Sequence, residues 1–324
     1  MATYARRFGP HAPDDTYVEH AYEEHLHDVG EPVINYATVG DASRPALLLI
    51  PGQTESWWGY EAAMGLLAEH FQTFAVDLRG QGRSSRTPGR YTLDLVGNDL
   101  VRFIDDVIGR PTIVAGLSSG GVTAAWLSAY AKPGQVVAAY YEDPPLFSSE
   151  VDPAYGQSLR QAIGPLFAAM AKYLGDQWSV GDWDGMVAAL PDELPESMAM
   201  IAGAFGVGSG DGPPQELREY DPEWGRAFWT GAFYGSCDHE RMLRSVKVPV
   251  LYTHHFRMID PATGSLIGAA SDVQVARVAK LIADAGQPFE LVDLPTQPHS
   301  LHGADPQLYV DTLHRWVDGL PSPR

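Results

Sequence analysis

Seven short runs of aliphatic and β-branched residues, each bounded by turn residues, recur along the chain at residues 33–39, 46–50, 73–78, 112–117, 136–141, 248–252 and 289–294. Their length and near-continuous apolarity predict strands buried on both faces. Between them the apolar period lengthens to that of a helix at residues 93–108 and 121–130, and again at the end of the chain around residues 306–320. Strands alternating with helices predict a mostly parallel sheet with helices on both faces, an α/β fold. His25 and His27 occupy alternate positions of a further, surface strand. From about residue 146 to 240 no strand pattern occurs. Helical stretches at 156–174, 195–204 and 223–234 are instead separated by Gly/Pro/Asp-rich turns, and residues 206–214 (GVGSGDGPP) read as a mobile loop. Strand patterns flank this segment on both sides, so residues 1–145 and 241–324 are expected to form one core and residues 146–240 a helical insertion in it.

Composition narrows the partners. The 324 residues carry 41 Asp+Glu against 22 Lys+Arg, a formal net charge of −19, and no Lys/Arg cluster. A nucleic-acid or anionic-membrane binder needs the opposite field. The acidity is concentrated in the inserted segment, whereas the C-terminal part, residues 241–324, balances to zero. Cys237 is the single cysteine, so no intramolecular disulfide and no thiol-based metal site is expected, which fits a cytoplasmic protein. The first 15 residues lack an apolar stretch behind their two arginines, and no run elsewhere approaches a membrane span.

The chemistry starts at Gly116-Leu117-Ser118-Ser119-Gly120, which follows an apolar strand and opens a helix pattern. A G-x-S-x-G pentapeptide in that context places its central serine on a sharp strained turn, with glycines that allow strand and helix backbones to approach. Ser118 is thus the expected nucleophile. A serine hydroxyl needs a base, and His299 follows the last strand in a loop that can return over the sheet edge. His302, three residues on, is the competitor, read as a polar residue opening the last helix. The acid that orients the base is expected to be Glu142 at the end of the strand at 136–141, with Asp260 and Asp143 as alternatives; Asp260-Pro261 also reads as a plain Asx turn. Backbone N–H groups of Ser119 and of Gln53, in the loop after the strand at 46–50, are the expected oxyanion donors. The segment 77–84 (DLRGQGRS) fits neither of the glycine-rich phosphate-binding spacings and reads as a structural turn beside the site.

PGQT after a strand, DLRGQGRS, GLSSGG and a late PHSLH, in this order, resemble the α/β-hydrolase superfamily over residues 20–320. The resemblance implies that fold, an inserted cap, a serine nucleophile and no cofactor or metal. Haloalkane dehalogenases and epoxide hydrolases are also similar but carry Asp where Ser118 stands. A narrower resemblance lies in SWWGYEAAMGLLAEHF, GDQWSVGDW, EYDPEWGRAFW and THHFRMIDPATGSLIGAASD, which are similar to bacterial zearalenone hydrolases that open a macrocyclic lactone. It implies Ser118, His299 and Glu142 as the triad, Glu142 lying 24 residues after the nucleophile as in fungal lactonases of that activity. Pro51-Gly52 departs from the common His-Gly, which matters little where a backbone amide acts.

The implied substrate is a neutral aromatic or apolar ester or lactone, for which the cap offers Trp178, Trp183, Phe205, Trp224, Phe228, Trp229 and Phe233. Trp183, then Trp178, are expected to line the pocket, most of the others packing cap to core. Alternatives are a general carboxylesterase, a C–C hydrolase of aromatic ring-cleavage products or, outside enzymes, a ligand-sensing receptor. The sequence leaves room for a homodimer.

Overall fold

A computed structural model describes residues 12–148, 159–193, 202–203, 212–262 and 264–320. The apolar runs become the strands β1 (Glu24–Asp28), β2 (Val33–Val39), β3 (Ala46–Ile50), β4 (Gln72–Val76), β5 (Thr112–Leu117), β6 (Val136–Glu142), β7 (Val250–His254), a two-residue ribbon β8 (Met258–Ile259) and β9 (Leu266–Ile267), and β10 (Phe289–Asp293). Eight of them form one sheet in the order β1-β2-β4-β3-β5-β6-β7-β10. Only the β1–β2 and β2–β4 pairs are antiparallel, so from β4 to β10 all carboxyl ends share one edge. Active sites of open α/β sheets collect at that edge.

The two faces account for the continuous apolarity of the central strands. Leu48, Ile50 and Val114 point to one core, shared with helices α2 (Leu93–Phe103) and α3 (Ser119–Tyr130). Leu47, Leu49, Ile113 and Ala115 point to the other, with α1 (Glu61–Leu67) and the C-terminal helix Pro306–Asp318. The inserted segment adds helices Leu159–Tyr173, Trp183–Glu193, Gln215–Arg218 and Glu223–Trp229. Its Leu166, Phe167, Met186, Trp224 and Phe228 are contiguous with the α2/α3 core.

Four strands differ from the pattern by one or two residues at an end, β4, β6, β7 and β10, and two of these shifts have a clear cause. β4 ends at Val76; the Asp77 amide still reaches Asn35 O at 2.8 Å, but its carboxylate accepts from Trp57 N, Asn35 Nδ2 and Arg83 N at 2.7, 2.8 and 2.9 Å and turns the chain into the following loop. β7 runs on into the polar Thr253 and His254, which still pair with Glu142 and Asp293. Helices α1, Trp183–Glu193 and Asp272–Asp284 occupy stretches for which the pattern predicted no element; the last is fixed at its start by a Ser271–Gln274 capping box. The expected helix at 195–204 apart from residues 202–203, which are helical, together with Phe205 and most of the loop at 206–214, lies outside the described residues. Among the described residues no helix is long and apolar enough to cross a membrane.

Candidate active site

Ser118 joins β5 to α3 with φ 55° and ψ −122°, a backbone that a residue with a Cβ rarely adopts. The surrounding glycines make this turn sterically feasible. A Cβ on Gly116 would stand 2.3 Å from the carbonyl oxygen of Gly120, and one on Gly120 would stand 2.3 Å from that of Ile50. Every residue from Thr112 to Ala129 is buried except Ser118. The fold therefore exposes this one hydroxyl-bearing position at the carboxyl edge of the sheet. Its amide donates to the carbonyl of Glu142 at 2.9 Å, tying the elbow to the end of β6.

The loop after β3 lies against the elbow, since a Cβ on Gly52 would be 3.4 Å from Ser118 Cβ. Its shape is held by its own residues and by the neighbouring turn. Gly52 N donates to Glu55 Oε2 at 2.9 Å, Thr54 takes φ 68°, and the Gln81 side-chain amide, assigned with its nitrogen toward the loop because both atoms it faces are acceptors, donates to the carbonyls of Glu55 and Gly52 at 2.8 and 3.1 Å. The turn at 77–84 thus braces this loop. Among the described residues, no protein acceptor takes the Gln53 amide or the Ser119 amide at the start of α3, although both residues are buried. Two adjacent N–H groups without partners are what an oxyanion requires.

Two histidine–carboxylate pairs stand nearby, and their partners are not those expected. His299 Nδ1 donates to Asp143 Oδ2 at 2.7 Å, and His302 Nδ1 donates to Glu142 Oε2 at 2.8 Å. Glu142, expected to orient His299, is taken instead by the loop that follows that residue: its Oε1 accepts from Leu301 N at 2.7 Å and His302 N at 3.1 Å. Asp143, the lesser alternative, turns the other way at φ 43°, anchored by its own amide on Thr253 O and by His255 N on its Oδ1. Asp260 accepts from Ala262 N in the Asx turn that its bland reading predicted. His302, read as a polar residue opening the last helix, lies in the short turn of helix Leu301–Ala304 just before it and is fully buried, its ring stacked on Tyr60 at 3.8 Å between centroids.

The electrostatics follow from burial and these partners. Desolvation opposes charge on Asp143, but the His299 bond and charge outweigh it and hold the carboxyl below the usual range. Desolvation likewise works against a protonated His299, yet Asp143, with Glu55 and Glu142 behind it, raises its pKa above that of a free imidazole. Glu142 is lowered and His302 raised in the same manner, each by the other's charge against the cost of burial. The His299 side chain is nevertheless 47% exposed, whereas that of His302 is at 0%. Of the two, His299 alone is therefore accessible from solvent at this edge of the sheet. Ser118 Oγ makes no hydrogen bond to either ring among the described residues.

Sequence reasoning missed His255, whose signal was present in the polar Thr-His-His ending of β7. Its Nδ1 donates to His299 O at 2.9 Å, and its Nε2 accepts from Thr253 Oγ1, itself bonded to Tyr140 OH. That chain fixes the His255 tautomer and the backbone of the base loop. Of the expected pocket tryptophans, Trp178 sends its indole N–H to Gly82 O at 2.7 Å, a tether from insertion to core. Trp183 is 5% exposed within the shared apolar cluster.

Comparison with known proteins identifies the family and the fold. The family model described as "Alpha/beta hydrolase family" matches residues 47–312. A 3-oxoadipate enol-lactonase from Acinetobacter baylyi is 34% identical over 97 residues, 29% of this chain and 36% of that protein. The chain thus spans about a third of the curated relative at that level of identity. A fluoroacetate dehalogenase from Burkholderia is 25% identical over 249 residues, 71% of this chain and 76% of its own. Among solved structures, the enol-lactonase of Burkholderia xenovorans superposes with a TM-score of 0.59 at 18% identity, covering 89% of this chain and 99% of that one. An esterase from Rhodococcus gives 0.62 at 19%, covering 93% and 100%. With residues 47–312 matched and the strand order and serine elbow in place, the chain belongs to the alpha/beta hydrolase family.

Proposed function

We propose that this hydrolase cleaves carboxylic esters and lactones through an acyl-enzyme on Ser118, with zearalenone, a neutral aromatic macrolactone, as the substrate it fits best. The observation that carries the reading is the exposed serine on a left-handed elbow beside two unpartnered buried amides. The likeness of its cap and loop segments to zearalenone hydrolases and the lactonase relative support a cyclic ester in particular.

His299, oriented by Asp143, takes the Ser118 proton as Oγ attacks the ester carbonyl. The Gln53 and Ser119 amides receive the oxyanion. The intermediate collapses to the acyl-enzyme, the ring alkoxide leaves with the proton carried by His299, and the same ring then activates water to release the hydroxy acid. Trp183 is our choice for an aromatic wall of the pocket, while Trp178 belongs to the cap tether. A lone buried Cys237 suits a cytoplasmic setting.

Ring opening of zearalenone by Ser118→Ala, followed by chromatography, tests the mechanism: kcat should fall at least about 10⁴-fold. Retention of activity within a few-fold would remove the serine nucleophile. Aryl esters or ring-cleavage dienones turned over faster than the macrolactone would reassign the substrate while leaving the serine in place.

A further inference from the structure

The mechanism uses neither Glu142, His302 nor Glu55, yet these three ionisable groups meet directly behind it. His302 Nδ1 donates to Glu142, whose other oxygen holds the amides of Leu301 and His302, just past His299. On the opposite side of the ring, Nε2 lies 3.3 Å from Ser300 Oγ and 3.9 Å from Glu55 Oε1. The second oxygen of Glu55 holds Gly52 N, one residue before the Gln53 amide. The face of the ring rests on Tyr60, which donates its hydroxyl proton to Ile50 O and accepts Leu117 N, the residue before the nucleophile. One imidazole therefore touches, through a single partner each, the loop of the base, the loop of the oxyanion donors and the strand of the nucleophile.

We propose that His302 is a positioning residue that sets the oxyanion loop and the His299 loop in register by spanning Glu142 and Glu55. This rests on the Ser118–His299 reading above. Burying Glu142 and His302 is costly unless they are mutually paired, and their pairing, with the partly exposed Glu55 on the other side of the ring, falls between segments that must be aligned to well under an ångström for catalysis. The cluster is closed by groups that stay neutral: Tyr60 and Tyr309 flank the ring, and burial drives both phenols far up. Burial also raises Glu55, against the pull of His302, while Asp143 and His299 complete the charged surroundings. Since the oxyanion forms only in the transition state, loosening its loop reduces kcat and leaves substrate binding intact.

The test compares His302→Asn, which keeps a donor toward Glu142 but cannot reach Glu55, with Glu55→Ala, a partly exposed loop side chain whose loss does not empty the core. Steady-state kinetics on an aryl ester and affinity for an aryl boronate, which mimics the tetrahedral adduct on Ser118, are measured for each. Both variants should lose about 10- to 100-fold in kcat with KM changed less than about 3-fold, and boronate affinity should fall in step, a fraction of the 10²–10³ that one lost oxyanion donor costs. The double variant should lose little more than either single one. Glu55→Gln, which can still accept from Gly52 N, should recover part of the loss. A lower melting temperature with kcat and boronate affinity unchanged in both variants would overturn the proposal, as would additive losses. Should His302→Asn fail to fold, Glu55→Ala at wild-type kcat overturns it alone. Full activity in His299→Asn with none in His302→Asn would instead make His302 the base, and so overturn the mechanism as well as the proposal.

Discussion

Glu142 and Asp143 are adjacent at the end of β6, and adjacent residues at a strand end point to opposite sides. Each consequently reaches a different histidine, Glu142 toward His302 and the face holding Tyr60, Asp143 toward the half-exposed His299. Asp143→Asn should cut kcat by about 10³- to 10⁴-fold, because an amide no longer favours the imidazolium or the Nδ1–H tautomer. Glu142→Gln, one partner further from the reacting atoms, should cost about 10- to 100-fold. The pH profile carries the sign. The base must be neutral, Asp143 raises the His299 pKa, and so the acidic limb of kcat/KM lies above the free-imidazole value near 6.5 and moves to lower pH in Asp143→Asn. A larger loss in Glu142→Gln would return the acid to the position that spacing suggested. The elbow at Ser118 and the loop position of His299 were legible in the sequence because each sits at a point where a local pattern ends, an apolar strand running into Gly-x-Ser-x-Gly or into a Pro/His turn. The pairing of His299 with Asp143 was not, because the choice between two adjacent carboxylates is made by a φ of 43° and by His255 N, neither of which leaves a mark in the residue pattern.

At the level of elements, the same distinction separates the sheet from the cap. Strands β3 and β5 coincide with their apolar runs to the residue, because two-sided burial demands a nearly unbroken hydrophobic sequence. Cap aromatics carry no such information, since a tryptophan packs equally well against core or ligand and often brings an N–H that needs an acceptor. Here the acceptors lie on the turn after β4. Trp178 reaches Gly82 O, Gln177 reaches Gly82 O and Ser84 O, Trp224 reaches Arg79 O, and Asp221 N reaches Gly80 O. This turn also carries Gln81, which braces the oxyanion loop, so the cap is anchored to the same short segment that shapes the site. Trp178→Phe keeps the apolar bulk and removes one of the two N–H donors to Gly82 O, leaving that carbonyl to Gln177 alone. We expect a loss of about 1 kcal/mol in stability by denaturant unfolding, with KM for the macrolactone within about 2-fold. A KM raised 10-fold or more at unchanged stability would place Trp178 in the pocket, as the sequence suggested.

Across the whole molecule, stability and activity should respond to pH in opposite directions. His299 and His302 have folded-state pKa values above the unfolded one, so the stability they confer is complete below about 6.5 and is lost as pH rises through their folded values. Burial pushes Asp77 up to about 7 and also raises Glu55, Glu219 and Asp221, so these carboxyls too favour the folded state at low pH and lose that contribution as they are forced to ionise. The net charge of −19 adds self-repulsion in the same direction. On the acid side, Glu142 and Asp143, both lowered, give up their contribution only as pH falls below the ordinary carboxylate range. His239, forced down to about 4 by burial, loses its own as pH falls from 6.5 toward 4. Melting temperature at fixed ionic strength should therefore peak between about pH 5 and 6.5 and decline toward pH 8.5. Over the same interval kcat/KM should climb as His299 loses its proton, placing the activity optimum on the falling side of the stability curve. A melting temperature that stays flat from pH 6 to 8.5 would mean that these buried groups ionise in the folded protein as freely as in the unfolded chain, and a steady rise that the folded state binds fewer protons than the unfolded one; either outcome contradicts the raised values of His299, His302 and Asp77.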